Sequence, residues 1–217
     1  MIKLPKPLIK AVRRGYIVAI IHFGSSLYCS VYHDIDLAVV VKRSYYKKLL
    51  KEIRGKIQAN FDIALIRQEE ITGAEEFRWG GHGAHFLKSL IEGEAVYGLN
   101  PFLKFSVSDS QLKASILSRL YDYMEDVRRA ALQRNIKSSI KKRWPKFIRL
   151  SLYLLEDGFT YPGILNLSES ELAPYFKKHK IDTNKVNLLL EYEAIWKKVL
   201  NTYRLVQKIK RRGKHHD

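Results

Sequence analysis

The chain has 217 residues, of which 46% are hydrophobic and 12% aromatic, so a disordered, collagen-like or low-complexity protein is excluded. The 39 lysine and arginine residues outnumber the 22 acidic residues, and the formal net charge of +17 favours nucleic acid, nucleotides or an anionic surface as partners. The single cysteine, Cys29, excludes an internal disulfide framework and a cysteine-rich zinc site. The first residues do not resemble a signal peptide, and the apolar run at 17–21 is too short to cross a membrane. We therefore expect a cytoplasmic protein with no membrane partner.

The first half of the chain alternates between predicted helices and predicted strands. Apolar runs rich in β-branched residues predict strands, and amphipathic stretches predict helices. Gly15 and Gly55 are expected to end the first two helices, and Ser44 is expected to cap the second. The helices are expected at 8–14, 45–54 and 85–92, and the strands at 16–23, 35–41 and 61–66. This order predicts a mixed α/β sheet with flanking helices.

The second half of the chain contains no stretch that predicts a strand. A turn-rich segment at 98–101 predicts a domain boundary, with residues 1–100 and 101–217 as the two domains. Pro145 is expected to break the helical pattern, because proline disfavours helical backbone in the residue before it. The predicted helices are 109–143, 147–155, a short helix opened by a capping box of Ser168 and Glu171, and 183–209. The fold class is therefore a mixed α/β or α+β sheet domain followed by an all-α bundle with a basic C-terminal tail.

Two aspartates open the second predicted strand. Asp34 and Asp36 are two residues apart, and residues with this spacing in a strand point to the same face. Two carboxylates held this close repel each other unless a cation lies between them. Oxygen ligands on a rigid strand, with the remaining positions open to water and phosphate, suit Mg²⁺. The pair therefore predicts a divalent metal site.

A glycine–serine segment and a third aspartate complete the pattern. Gly24, Ser25 and Ser26 follow the first predicted strand, where backbone amides can bind phosphate groups. Asp62 lies at the start of the third predicted strand and can reach the metal site if that strand lies beside the second. Three carboxylates and two metal ions are the usual equipment for phosphoryl or nucleotidyl transfer.

This pattern resembles the nucleotidyltransferase superfamily that includes DNA polymerase beta and the minimal nucleotidyltransferases. Phe23-Gly24-Ser25 and Asp34-Ile35-Asp36-Leu37 match the family signature, Asp62 matches its third acidic position, and the similarity covers residues 8 to about 98. The resemblance implies a catalytic domain at 1–100, with Mg²⁺ or Mn²⁺ as cofactor and a nucleoside triphosphate as substrate. Asp34 and Asp36 would hold both ions. Asp62 would hold the catalytic ion and help deprotonate a hydroxyl that attacks the α-phosphate and expels pyrophosphate.

The basic residues are concentrated in the second half, which carries 24 of the 39 lysines and arginines. No acidic residue lies between Val127 and Leu155, so RNA or another polyanion is a candidate acceptor for this segment. A solvated helix face is the alternative explanation of these charges. The candidate acceptor-binding residues are Arg128, Arg129, Lys141, Lys142 and Arg143.

Several alternatives stay open at the level of sequence. The glycine-rich segment 79–85, with two histidines, fits either a phosphate- or acceptor-binding loop or a plain linker that leads into a helix. The acceptor could also be a protein hydroxyl or a small molecule. A different function is that of a catalytically silent relative that binds nucleic acid or a toxin partner. The identity of the nucleotide and the oligomeric state are not determined by the sequence, and a dimer is one of the options.

Overall fold

The computed structural model of the chain describes residues 2–27, 34–72, 83–132, 138–182 and 188–213. The fold consists of two compact units, Met1–Leu112 and Lys113–Asp217. The division falls in the first turn of a helix, later in the chain than the turn-rich stretch that predicts a boundary. The functions assigned to the two domains stay predictions.

The first unit is built on a four-stranded mixed sheet. Its strands are β1 (Ile17–Phe23), β2 (Ile35–Val41), β3 (Phe61–Arg67) and β4 (Glu94–Tyr97), in the spatial order β3-β2-β1-β4. β1 pairs with β2 and with β4 in antiparallel fashion, whereas β2 and β3 are parallel. The parallel pair requires a crossover, which is supplied by helix α2 (Tyr46–Ile53).

Helices cover both faces of this sheet and create two apolar cores. Residues of α1 (Lys6–Arg13) and α2 pack on one face against alternate positions of the strands, including Ile20, Leu37 and Val39. The opposite face packs against α3 (Gln68–Thr72) and α4 (Gly83–Ile91). Alternation of side chains along each strand separates the two cores, so the central strands are apolar on both faces.

The predicted mixed sheet with flanking helices is confirmed, with two local corrections. Gly15 and Gly55 have positive φ angles of 69° and 70°, as expected for glycines that end helices. Ser44 does not cap α2: it lies within a short 3₁₀ turn, and the backbone position before the helix is Tyr45. The strand β4 was not predicted, because its four residues are too few to give a periodic signal.

The described part of the second unit is helical. Its helices are α5 (Asp109–Leu132), α6 (Ser138–Leu155), α7 (Glu169–Lys178) and α8 (Leu188–Gly213). Along α5, the side chains at every third or fourth position are buried, as the periodicity predicts; they are Leu112, Ile116, Leu120, Met124 and Val127. Within the described residues, no helix has the length and apolar character needed to cross a membrane.

The predicted helix break before Pro145 is wrong, and so is the single helix over 109–143. α5 ends at Leu132, and α6 continues through Pro145 to Leu155. Packing explains why the proline is tolerated. Its neighbour Trp144 is 1% exposed and contacts the rings of Phe147 and Tyr192. The burial of these large rings offsets the backbone hydrogen bond that proline cannot make.

The smaller helix α7 starts as its sequence predicts. Ser168 accepts a hydrogen bond from the backbone N–H of Glu171, whose carboxylate accepts one from the backbone N–H of Ser168. This reciprocal capping box satisfies two backbone donors that the first turn of a helix leaves unpaired. The expected all-helical character of the C-terminal part is thus confirmed by the described helices.

Candidate metal and nucleotide site

Three carboxylates meet at one end of the strands, where β1 finishes and β2 and β3 begin. Because β2 and β3 are parallel and in register, Asp36 is the direct partner of Asp62, and Asp34 lies two residues before Asp36. One oxygen from each of the three side chains lies within 4.8 Å of the others. The structure therefore brings together all three aspartates that the sequence singles out, although they are separated by up to 28 positions in the chain.

The chemistry of this cluster fits a divalent cation. Asp34 and Asp36 are half-buried and Asp62 is exposed, so the cluster is open to solvent at one side. Three like charges at this separation repel one another, and a bound cation would reverse that repulsion. Carboxylate oxygens are the ligands that Mg²⁺ and Mn²⁺ prefer, and Mg²⁺ keeps coordination positions for water and phosphate. The three residues could thus hold one or two such ions.

Gly24 lies directly against one of these carboxylates. It follows β1 with a φ angle of +81°, which only glycine adopts without strain. A Cβ atom placed on it would lie 2.0 Å from Oδ2 of Asp36 and 2.8 Å from its Cγ. The absence of a side chain at this position therefore lets the backbone of the turn approach the carboxylate cluster.

A short turn links Gly24 to the rest of the segment. The backbone N–H of Leu27 donates to the carbonyl of Gly24 at 3.2 Å, which closes a 3₁₀ turn over Ser25–Leu27. Gly24 and Ser26, two of the three predicted nucleotide-binding residues, thus lie at the same end of β1 as the aspartate cluster, since Phe23 is the partner of Asp36. The side chain of Ser25 is outside the described part of the structure.

His22 is a polar residue near this end of β1 that the sequence did not single out. Its side chain is 6% exposed, and its Nε2 lies 2.7 Å from Oγ of Ser26. Burial lowers the pKa of His22, and the nearby carboxylate of Glu94 opposes that shift by raising it. The signal for it was a histidine within an otherwise apolar strand, two residues before the glycine of the motif.

Carboxylates on neighbouring helices engage several of the predicted acceptor-binding cations. Arg128 donates to both carboxylate oxygens of Glu193, from Nε at 2.8 Å and from Nη2 at 3.2 Å. Arg143 pairs with Asp126, which also lies 4.0 Å from Arg129. Arg128, Arg129 and Arg143 are therefore partly neutralised by carboxylates of the second unit. Lys141 is exposed, and the side chain of Lys142 is outside the described residues.

Two other sequence features cannot be compared with the structure. The glycines and histidine at 79–82 lie outside the described residues, and so do residues 28–33, which join Leu27 to Asp34. The second histidine of the glycine-rich segment, His85, is buried on α4 and is 8% exposed. It therefore belongs to the packed face of that helix.

Comparison with known proteins finds a solved structure with a similar fold. No protein-family model matches the chain, and no curated protein matches it in sequence. Among solved structures, the spectinomycin adenyltransferase AAD(9) from Enterococcus faecialis, determined with ATP and spectinomycin, is similar with a TM-score of 0.56. The two chains are 15% identical, and the match covers 89% of this chain and 96% of that chain. The chain therefore has the fold of a nucleotidyltransferase, with a mixed sheet and flanking helices followed by a helical part.

Proposed function

We propose that this protein is a metal-dependent nucleotidyltransferase, which transfers a nucleoside monophosphate from a nucleoside triphosphate to a hydroxyl acceptor. The observation that carries the proposal is the convergence of Asp34, Asp36 and Asp62 within 4.8 Å at the end of β1 where Gly24 turns the chain. A carboxylate cluster that can hold divalent ions, beside a turn whose backbone can approach phosphate groups, is the arrangement that this reaction needs. The similar fold of an adenyltransferase determined with ATP supports the same conclusion.

The three aspartates would have different roles in this reaction. Asp34 and Asp36 would hold two Mg²⁺ or Mn²⁺ ions, with Asp62 as a further ligand of one of them. The bound ions would neutralise the negative charge that develops on the phosphate oxygens. The exposed carboxylate of Asp62 would take up the proton of the attacking hydroxyl. The acceptor oxygen would form a bond to the α-phosphorus as the bond to the β-phosphate oxygen breaks, and pyrophosphate would leave with that electron pair.

The test is nucleotidyl transfer by the purified protein. Radiolabelled nucleoside triphosphates are supplied with Mg²⁺ or Mn²⁺ and a panel of acceptors, and both labelled product and pyrophosphate are measured. We expect transfer that depends on the metal and that Asp34→Asn combined with Asp36→Asn abolishes. Asp122→Asn is the matched control, because Asp122 is a half-exposed carboxylate on α5. The absence of any transfer by a folded protein that still binds metal and nucleotide would favour the catalytically silent alternative.

For the acceptor, we propose a hydroxyl on RNA or another polyanion. The net charge of +17 supports an anionic acceptor over a cationic one, and exposed lysines such as Lys141 add to this charge. Arg128 and Arg143 contribute less to it, because each is already bound to a carboxylate. The acceptor panel therefore includes RNA oligonucleotides and spectinomycin, the compound bound by the structural neighbour. Label found on spectinomycin and not on RNA would refute the anionic acceptor without refuting nucleotidyl transfer.

A further inference from the structure

A buried histidine supports the turn that follows Gly24 from the face of the sheet opposite to the aspartate cluster. Phe23 packs with the core next to α3 and α4, and its strand partner is Asp36. Adjacent residues of a strand point to opposite faces, so His22 lies on the other face, with its partner Leu37 in the core next to α1 and α2. The turn thus crosses the end of β1, with Gly24 against Asp36 and Ser26 tied back to His22.

The direction of the hydrogen bond between His22 and Ser26 decides what Ser26 can offer to a ligand. If the hydroxyl of Ser26 donates to Nε2, the serine oxygen has only lone pairs left, and these repel a phosphate oxygen. If Nε2–H donates to Oγ of Ser26, the hydroxyl proton is free to donate to a phosphate oxygen. A neutral imidazole can be either donor or acceptor at Nε2 according to its tautomer, so both arrangements are available to this pair.

We propose that His22 is a positioning residue for the nucleotide: it donates from Nε2–H to Ser26, and Ser26 in turn donates its hydroxyl proton to a phosphate oxygen of the triphosphate. This inference rests on the proposed function and extends it to a residue outside the carboxylate motif. His22 itself touches neither nucleotide nor metal, because it lies on the face of the sheet away from Asp36. Its burial fixes the imidazole in place, so that the serine hydroxyl is oriented before the nucleotide arrives.

The test measures nucleotide affinity rather than catalysis. Titration calorimetry with the nonhydrolysable analogue α,β-methylene ATP and Mg²⁺ is carried out on the full chain and its variants. We expect His22→Leu and Ser26→Ala each to weaken binding at least about tenfold, which is the lower end of the range for a lost hydrogen bond to a charged group. The double variant should be no weaker than either single variant, because both changes remove the same interaction. His22→Gln, which keeps an N–H donor, should bind within about threefold of the wild type.

The controls separate this inference from the proposed function. Ser170→Ala is the matched control, because the hydroxyl of Ser170 also contacts another side chain, that of Ser168 at 2.8 Å. Ser170 lies on α7, so this variant should bind the nucleotide like the wild type. Unchanged binding by Ser26→Ala, or multiplied losses in the double variant, would overturn the role of His22 and leave the nucleotidyltransferase proposal intact. A wild-type protein that binds metal but no nucleotide would overturn both. Ser26 is half-exposed, so its variant tests the idea even if His22→Leu fails to fold.

Discussion

Replacement of Gly24 by alanine tests whether the approach of the backbone to Asp36 matters for the metal site. The new Cβ would lie 2.0 Å from Oδ2 and 2.8 Å from Cγ of Asp36, whereas real Cβ contacts are essentially never shorter than 3.0 Å. Either the turn or the carboxylate must therefore move by about 1 Å. Changes that misorient a metal ligand commonly lower metal affinity by roughly 10–100-fold, and we expect a loss of this size.

The same substitution also has a backbone cost that must be separated from the collision. Alanine at a φ of +81° is disfavoured by about 1–2 kcal/mol, which the reduced entropy of the unfolded chain partly offsets. Gly55 is the matched control, because its φ is +70° and no atom lies within 4 Å of the position that a Cβ would take there. If the carboxylate of Asp36 moves aside, Gly24→Ala and Gly55→Ala should each lower the free energy of unfolding in urea by about 1 kcal/mol.

Metal affinity distinguishes the two variants. Mn²⁺ titration followed by electron paramagnetic resonance reports free and bound ion without any need for a known acceptor. Gly55→Ala should bind Mn²⁺ like the wild type, and Gly24→Ala should bind it at least about tenfold more weakly. Equal Mn²⁺ affinity in the two variants would refute the reasoning, because it would mean that the position of Asp36 does not govern the site.

Three further substitutions test other parts of the structure. Asp62→Asn should raise the melting temperature of the metal-free protein, since it removes like-charge repulsion, and should reduce the additional stabilisation by Mn²⁺ seen in a thermal shift assay. Asn100→Ala should cost about 3 kcal/mol in urea unfolding, because this buried amide makes three hydrogen bonds to backbone groups. Lys178, and to a smaller extent His179, lower the pKa of Glu156, so its contribution to stability is present above the unfolded-state pKa near 4.5 and is lost as pH falls below it. Glu156→Gln should therefore flatten the loss of urea stability as the pH falls below 4.5, and an unchanged slope would contradict this assignment.

The sheet and the aspartate cluster at the ends of its strands could be predicted from the sequence, because residues close together in the chain indicate them. A run such as Ile35–Val41 is apolar enough to be a strand wherever it is placed, and the spacing of Asp34 and Asp36 fixes their common face. The position of Asp62 needed one further assumption, that the third strand lies beside the second. The in-register pairing of Asp36 with Asp62 confirms this assumption.

Features that depend on tertiary contacts could not be predicted in the same way. The helix α6 passes through Pro145 because Trp144 and Phe147 are buried, and the sequence around the proline carries no sign of that partner surface. The basic stretch that contains Arg128 likewise carries no local sign of its long-range ion pair. Arg128 binds Glu193, which lies 65 positions further along the chain, so the net charge of the segment overstates the charge that is free to bind a ligand.

Three features that a stable fold does not require coincide at the end of β1, and their coincidence is the strongest structural argument for a functional site. The aspartate cluster holds like charges together, Gly24 gives up chain entropy to adopt a left-handed conformation, and the buried His22 must be desolvated. Any one of them could be an accident of packing. Selection for stability alone gives no reason for all three to lie at the same end of one strand. A site for a cation and a triphosphate needs the negative charge of the aspartates, the close approach of the backbone at Gly24 and an oriented hydrogen-bond donor. The variants of Gly24 and Asp62 therefore test the cation site, and the variants of His22 and Ser26 separately test the contact with the triphosphate.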